Sequence, residues 1–444
     1  MGHKYMSSVY SYYSKNNKKY DIASFWGLVF YRIVLDISYA VYICTVYRYI
    51  PHFQIDWAFS RYIISWAVYV FLAFLTMRRK ESIVAYYLVI QFTITIAPMI
   101  TMYGLSNRSI TYFLLISVLH ALQCILAVYF KVPKRNIIIR DGYKVSLLIV
   151  TIITLLAFLL TMIRYGIPSL SALNLYDVYE IREEHSFTGI LGYIMPWFFT
   201  VVLPLAASEA WVTNHKKAFA CLAIFAFYFY LTYAHKTWLF SVFYIFAIFL
   251  ALRKNKFRQY ICWGLPILVA VTTLMWVLDH RLSLPVSLFV RRTLILPANI
   301  EYTHFDYVSE NQFLFLSEGL FGRILGMQSP YGKELKYIIG DQLGLSGMAA
   351  NTGYLADAYS NFGVIGMFVY SFLLLRILQF VDSFTDRHDL LIHFTALSYC
   401  LLGLNDSSLL TRLLTGGFGV IIILLLFRKN KFQSLTLCDG IFRT

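Results

Sequence analysis

The sequence predicts an all-α, polytopic bundle of transmembrane helices, and three observations carry that expectation. Of 444 residues, 59% are hydrophobic and 14% charged, where a soluble domain carries roughly 25% charged residues. The mean hydropathy is +0.64. Apolar stretches of about 20 residues, the length that crosses a bilayer core, recur along most of the chain and are closed by polar or basic residues.

Twelve spans are expected, at about 24–47, 61–77, 82–103, 110–130, 145–164, 190–211, 218–234, 237–252, 260–279, 356–381, 390–404 and 409–427. They leave little chain for a soluble domain, so residues 1–444 read as one transmembrane domain. The first span is long enough to cross and lacks a small-residue cleavage site, so it reads as an uncleaved anchor. The net charge of +15 sits in short clusters between spans: RRK at 78, KVPKR at 131, NHKK at 214, RKNKFR at 253 and RKNK at 428. That is a positive-inside pattern, not a nucleic-acid surface, and both termini are expected on the cytoplasmic side. Five of the six cysteines lie in expected spans, and Cys438 lies in the basic tail, with no metal-binding spacing.

Two long connections fall on the opposite side, roughly 165–189 and 281–353. Loops of that length tend to carry function. The larger one is not a hydrophilic linker, because SLPVSLFVRRTLILPANI (283–300) is mostly apolar around two arginines and reads as an interfacial or re-entrant helix. The apolar piece from Phe313 does likewise. The halves show no sequence repeat, which speaks against a duplicated transporter.

The local charge marks the candidate site. Arg281, Arg291 and Arg292 occur with no acid between 280 and 300, and guanidinium forks suit phosphate oxygens; the alternative is that they anchor an interfacial helix by snorkelling. In the smaller loop Arg182 is the only cation among Asp177, Glu180, Glu183 and Glu184, either an ion-pair network or part of a phosphate clamp. Lys236, in the turn AHKTW, is a second-tier phosphate ligand. NTGYLADAYSNFGVIG (351–366) enters the tenth span with Tyr354, Asp357 and Asn361 on one helical face, and Gly363 and Gly366 permit close helix approach. A carboxylate entering hydrocarbon must face a partner or a cavity. Glu301, Tyr302, His304 and Asp306 follow the arginine pair, with Glu301 and His304 on one face of a helix. Asn405, Asp406 and Arg412 stand near the last turn on this side, and Arg32 with Asp36 reads as a structural pair. There is no GxxxxGK[ST], HExxH or DxD motif, so neither nucleotide, metal nor other cofactor is expected.

The segments DVYEIR, the HKT turn, RRTLILPA and NTGYLADAYSNFG resemble bacterial oligosaccharide repeat-unit polymerases of the O-antigen polymerase type. The resemblance covers these four motifs and the twelve-span layout. It implies a multi-span, GT-C-like glycosyltransferase of the inner membrane whose site opens to the periplasm. A growing glycan on undecaprenyl pyrophosphate would be transferred to the non-reducing sugar of the next lipid-linked unit, with a flippase and a chain-length co-polymerase as partners. On that reading Arg291, Arg292 and Arg182, then Lys236 and Arg281, bind pyrophosphate. Asp357, His304 and Glu301 are candidate bases or sugar contacts, and Tyr354, Asn361, Tyr302 and Arg412 line the cavity. The rivals are an O-antigen ligase and a polysaccharide flippase.

Overall fold

The computed structural model describes residues 20–428, except 79–80, 131, 136, 138, 169, 174–180, 182–183, 186–188 and 388. The described chain is helical, with one isolated antiparallel bridge between Tyr20 and Arg78. Its principal helices are α1 (Ile22–Val46), α2 (Phe59–Thr76), α3 (Ile83–Leu105), α4 (Ile110–Tyr129), α5 (Gly142–Tyr165), α6 (Leu191–Val212), α7 (Lys216–Tyr233), α8 (Lys236–Arg253) and α9 (Phe257–Leu278). After them come α10 (Leu296–Ser309), α11 (Leu320–Leu325), α12 (Leu335–Gln342), α13 (Tyr354–Phe384), α14 (Leu390–Leu402), α15 (Leu409–Leu414) and α16 (Phe418–Arg428). Among the described residues nine helices are long and apolar enough to cross a membrane, the stretch from α15 to α16 counting as one; α7, α8 and α14, at three expected spans, are not among them.

The helix α3 is the axis of the bundle. It is apolar all round and almost wholly buried, as a helix without a polar face must be. At its N-terminus the Asp382 carboxylate accepts from the Ile83 and Val84 amides at 2.7 and 3.2 Å, a capping charge where the helix dipole favours it. The pair α1 and α9 approaches closely at Gly27, where a β-carbon would lie 2.7 Å from the Cys262 carbonyl oxygen, the small-residue contact typical of membrane helices. The expected Arg32–Asp36 pair forms at 2.7 Å.

Four stretches widen to π-helix: Tyr39–Ile43, Phe92–Ile96, Phe198–Val202 and Ser287–Ile295. Pro98, Pro204 and Pro297 each lie two residues beyond the end of one of the last three. A proline has no amide to donate and its ring collides with the carbonyl four residues back, and a widened turn relieves both defects. The helix expected near 283–300 thus runs from Ser283 to Ser309 with a π-turn in its middle, packed against α3 and α9.

Two expected spans are broken. In α13 the backbone reverses at Phe362 (φ −140°) and Gly363 (φ 61°, ψ −150°). A β-carbon on Gly366 would run into the Ala358 carbonyl, although residues eight apart in a straight helix stand about 12 Å apart along the axis. Gln123 Nε2 likewise reaches both the Tyr354 hydroxyl at 3.4 Å and the Ser371 carbonyl at 3.3 Å. The span expected at 356–381 is therefore a helical hairpin. Its short first arm ends at Phe362, and its second, from Val364, is about 31 Å long at 1.5 Å per residue, enough to cross alone. Gly363 is the turn itself, not a helix-contact residue as expected. The span expected at 409–427 breaks at Thr415–Gly417, where Gly417 (φ 82°) is held against Val201 and Thr200 and the Gly416 carbonyl accepts from Thr200 at 2.8 Å.

Candidate functional site

The segment 281–353 closes one end of the bundle, and α10 is its platform. Pro297 starts this helix after the π-turn, and Asn299, Glu301, Tyr302 and His304 are buried. The Tyr112 hydroxyl donates to Glu301 Oε2 at 2.8 Å. Glu301 Oε1 rests against Gly353, whose missing β-carbon would strike it and would lie 3.1 Å from the Leu404 and Asn405 carbonyls. A glycine is thus required where α10, α13 and the end of α14 converge. His304 Nε2 faces the Ala350 carbonyl at 3.1 Å; a carbonyl only accepts, so this nitrogen carries the proton and Nδ1, which has no partner, keeps its lone pair.

Burial sets the protonation of both groups. It pushes the Glu301 carboxyl up to about 8, offset in part by the Tyr112 hydrogen bond, so Glu301 holds its proton at neutral pH. It pulls the His304 imidazole down to about 4, against its bond to Ala350, so His304 is neutral there. Between the ordinary carboxyl value of 4.5 and about 8, the folded chain binds more protons at Glu301 than the unfolded chain does, and this stabilisation is lost as pH rises. His304 acts oppositely, since its contribution is lost as pH falls from 6.5 towards 4; His52, also lowered to about 4 by burial and by Arg108, acts the same way. Only Glu301 among the three still titrates above 6.5. Thermal melts in detergent should therefore show stability falling between pH 6.5 and 8, and Glu301→Gln should flatten that slope. An identical slope in Glu301→Gln would refute this protonation of Glu301.

Beside this pair stands Arg108, which the sequence reading did not single out. Its side chain is fully buried and pairs with Asp306 Oδ2 at 3.2 Å. It also donates to Thr303 at 3.2 Å and lies over the Tyr302 ring at 5.0 Å. Tyr302 in turn donates to the Met99 carbonyl at 3.2 Å. The signal for Arg108 was a lone cation in the four-residue turn between two spans, on the side that the positive-inside rule leaves poor in cations.

The other candidate residues fall into separate groups. Arg291 lies over the Tyr47 ring at 4.3 Å and donates from Nε to Ser287 Oγ at 3.2 Å. The Tyr47 hydroxyl donates to the same Ser287 oxygen at 3.1 Å and stands 3.3 Å from that of Tyr42. Burial would raise the Tyr47 hydroxyl, but hydrogen bonding with Ser287 and Tyr42 and the charges of Arg291 and Arg292 outweigh it and hold it below its ordinary value. This is a cationic patch with both arginines acting on one phenol, and Arg292 is exposed. Arg281 is apart from it: its side chain is 93% exposed and its ion-pair contact is with Asp279 at 4.0 Å. Arg412 is held locally by Asp406 Oδ1 at 2.8 Å and by the Gly403 carbonyl at 2.9 Å. Arg182 and its neighbours Asp177, Glu180 and Glu183 lie outside the described residues, as does the side chain of Lys236.

Tyr354, Asp357 and Asn361 share the first arm of the α13 hairpin but serve two environments. Tyr354 points into the bundle, where Gln91 Nε2 donates to its hydroxyl at 2.7 Å. Gln91 Oε1 meets His120 Nδ1 at 3.2 Å, and His120 Nε2 meets Thr76 at 2.9 Å. Next to this thread lies a cavity of about 10 Å³ whose polar lining is Tyr87, Gln91, Thr95, Tyr354 and Asn405, room for about one water. Asn361 instead accepts from the Leu316 amide at 2.7 Å, and its side chain donates to the Asp357 carbonyl at 2.9 Å. Among the described residues no group of three or more His, Cys, Asp or Glu is arranged to hold a metal ion.

The chain matches no family model, no curated protein and no solved structure. What it does must therefore be argued from its own residues.

Proposed function

We propose that this chain is a nucleotide-independent glycosyltransferase that joins undecaprenyl-pyrophosphate-linked repeat units into a surface polysaccharide such as O-antigen. It works in the bacterial inner membrane with both termini cytoplasmic, twelve crossings, and the 281–353 segment on the periplasmic face. The growing glycan is transferred to the non-reducing sugar of the incoming lipid-linked unit, supplied by a flippase, and a chain-length co-polymerase sets where growth stops. The observation that carries this reading is the patch of Arg291, Arg292, Tyr47 and Ser287, at the same end of the bundle as α10 and Asp357.

In the transfer the bond from the anomeric carbon to the pyrophosphate oxygen breaks as the bond to the acceptor oxygen forms. The acceptor loses a proton and undecaprenyl pyrophosphate leaves as the anion. Charge develops most on the leaving group, so fixed cations there give the largest assistance. Arg291 has its guanidinium plane set by Tyr47 and Ser287, and Arg292 adds a second charge. For the proton, Asp357 is the one candidate among Asp357, His304 and Glu301 that is not fully buried. His304 has a free lone pair but is only 4% exposed, and Glu301, protonated at neutral pH, fits a hydrogen-bond donor better than a base.

The test is to incubate the purified chain in lipid with a defined lipid-linked repeat unit, without nucleotide or added metal. A ladder of glycan lengths supports the polymerase. Products that form only when lipid A core is supplied would replace it with a ligase.

A further inference from the structure

The large loop returns onto the first arm of the α13 hairpin, beside Asp357. The Leu314 and Phe315 amides donate to the Ser360 and Asn361 carbonyls at 2.9 and 3.3 Å, and Leu316 donates to the Asn361 side chain. Phe315 (φ 47°) and Leu316 (φ 63°) both adopt the left-handed backbone that this contact requires, an uncommon conformation that the docking must stabilise. Ser317 and Glu318 follow directly, close in the chain to this contact with the arm that carries Asp357, Ser360 and Asn361. Glu318 and Asp357 lie within electrostatic reach of one another, and the Tyr370 hydroxyl within reach of Asp357.

Three features distinguish this junction from a cluster of acids. Ser317, Ser360 and Tyr370 are 7%, 1% and 6% exposed as residues, and their buried hydroxyls have no hydrogen-bond partner, although buried hydroxyls are nearly always paired. Glu318 is held in place by Ser329 Oγ and the Leu335 amide, both at 2.8 Å and both on Oε1, which fixes the carboxylate from one side. Phe315 and Phe362 pack edge to face with ring centroids 6.2 Å apart, and are 56% and 36% exposed. Two half-buried carboxylates accept from a polyol, unpartnered hydroxyls both donate and accept, and open aromatic faces cover the C–H side of a pyranose ring.

We propose that the junction of residues 314–318 with the first arm of the α13 hairpin is a carbohydrate subsite, in which Glu318 and Asp357 take sugar hydroxyls and Phe315 and Phe362 stack on the ring. The proposal rests on the polysaccharide reading above and assigns the glycan, as distinct from the pyrophosphate, to its own residues.

The experiment is saturation-transfer NMR on the full chain in nanodiscs. The probe is the water-soluble oligosaccharide released by mild acid from the host's lipid-linked repeat unit. Binding should weaken at least tenfold in Glu318→Gln and in Asp357→Asn, and several-fold in Phe315→Ala, with melting temperatures near wild type; Phe321→Ala, on α11, should bind as wild type does. Unchanged binding in both carboxylate variants overturns the subsite. So does a wild-type chain that ignores the oligosaccharide but is stabilised by Na⁺ or Ca²⁺ in a Glu318-dependent way. The polymerase reading fails separately. Glu318-dependent glycan binding without any ladder keeps the subsite and removes the polymerase. A ladder whose half-saturating substrate concentration is unchanged in Glu318→Gln does the reverse.

Discussion

Arg291→Ala and Arg292→Ala should each lower the turnover number for chain growth by about 10²–10³, the loss expected when one preorganised charge at a developing anion is removed. Because the cations act on the leaving group as it departs, the loss should appear in kcat more than in KM. Arg291→Lys should recover only part of the rate, since an ammonium keeps the charge but not the planar fork that lies over Tyr47 and donates to Ser287. Arg291 is half-buried and Arg292 exposed, so both variants should fold, and melting temperature with initial rate separates chemistry from stability. Arg281→Ala, its side chain 93% exposed beside Asp279, should cost far less. Equal effects at the three arginines would mean a general field and not a site.

Gly363→Ala should destabilise the chain by about 1–3 kcal/mol and abolish whatever the hairpin supports. The backbone there sits at φ 61° and ψ −150°, a region close to glycine-only. A β-carbon would also stand 3.0 Å from the tip of the Phe313 ring, which would have to shift to admit it. Phe313→Ala in the same chain should relieve the steric part and leave the backbone part, so a double-mutant cycle measures each. A melting temperature unchanged by Gly363→Ala would show that the helix does not reverse there.

Apolar runs made the helices legible from sequence, because nothing else in the chain can satisfy its backbone in hydrocarbon. The breaks were not legible in the same way. Hydropathy averages over a window, and the polar first arm of α13 (YLADAYSNF) runs straight into the apolar second one, so the reversal itself is marked only by the Asn361-Phe-Gly363 turn residues. Proline positions carried more than was read from them: Pro98, Pro204 and Pro297 each mark a π-turn, and the last helps set how Arg291 and Arg292 are presented. Glu301 and His304 were legible as a helical pair, but their partners Tyr112, Ala350 and Gly353 come from distant segments. Arg108 was missed because one cation in a short turn carries no pattern. Glu318 was missed because its significance depends on the loop folding back onto Asp357.

The most direct test of the central claim counts leaving groups. Purified chain in lipid vesicles, given a radiolabelled undecaprenyl-pyrophosphate-linked repeat unit alone, should release one undecaprenyl pyrophosphate for each repeat added to the growing glycan, and Arg291→Ala should slow both together. Repeat units that cross the bilayer with no undecaprenyl pyrophosphate released would contradict the account and make the chain a transporter.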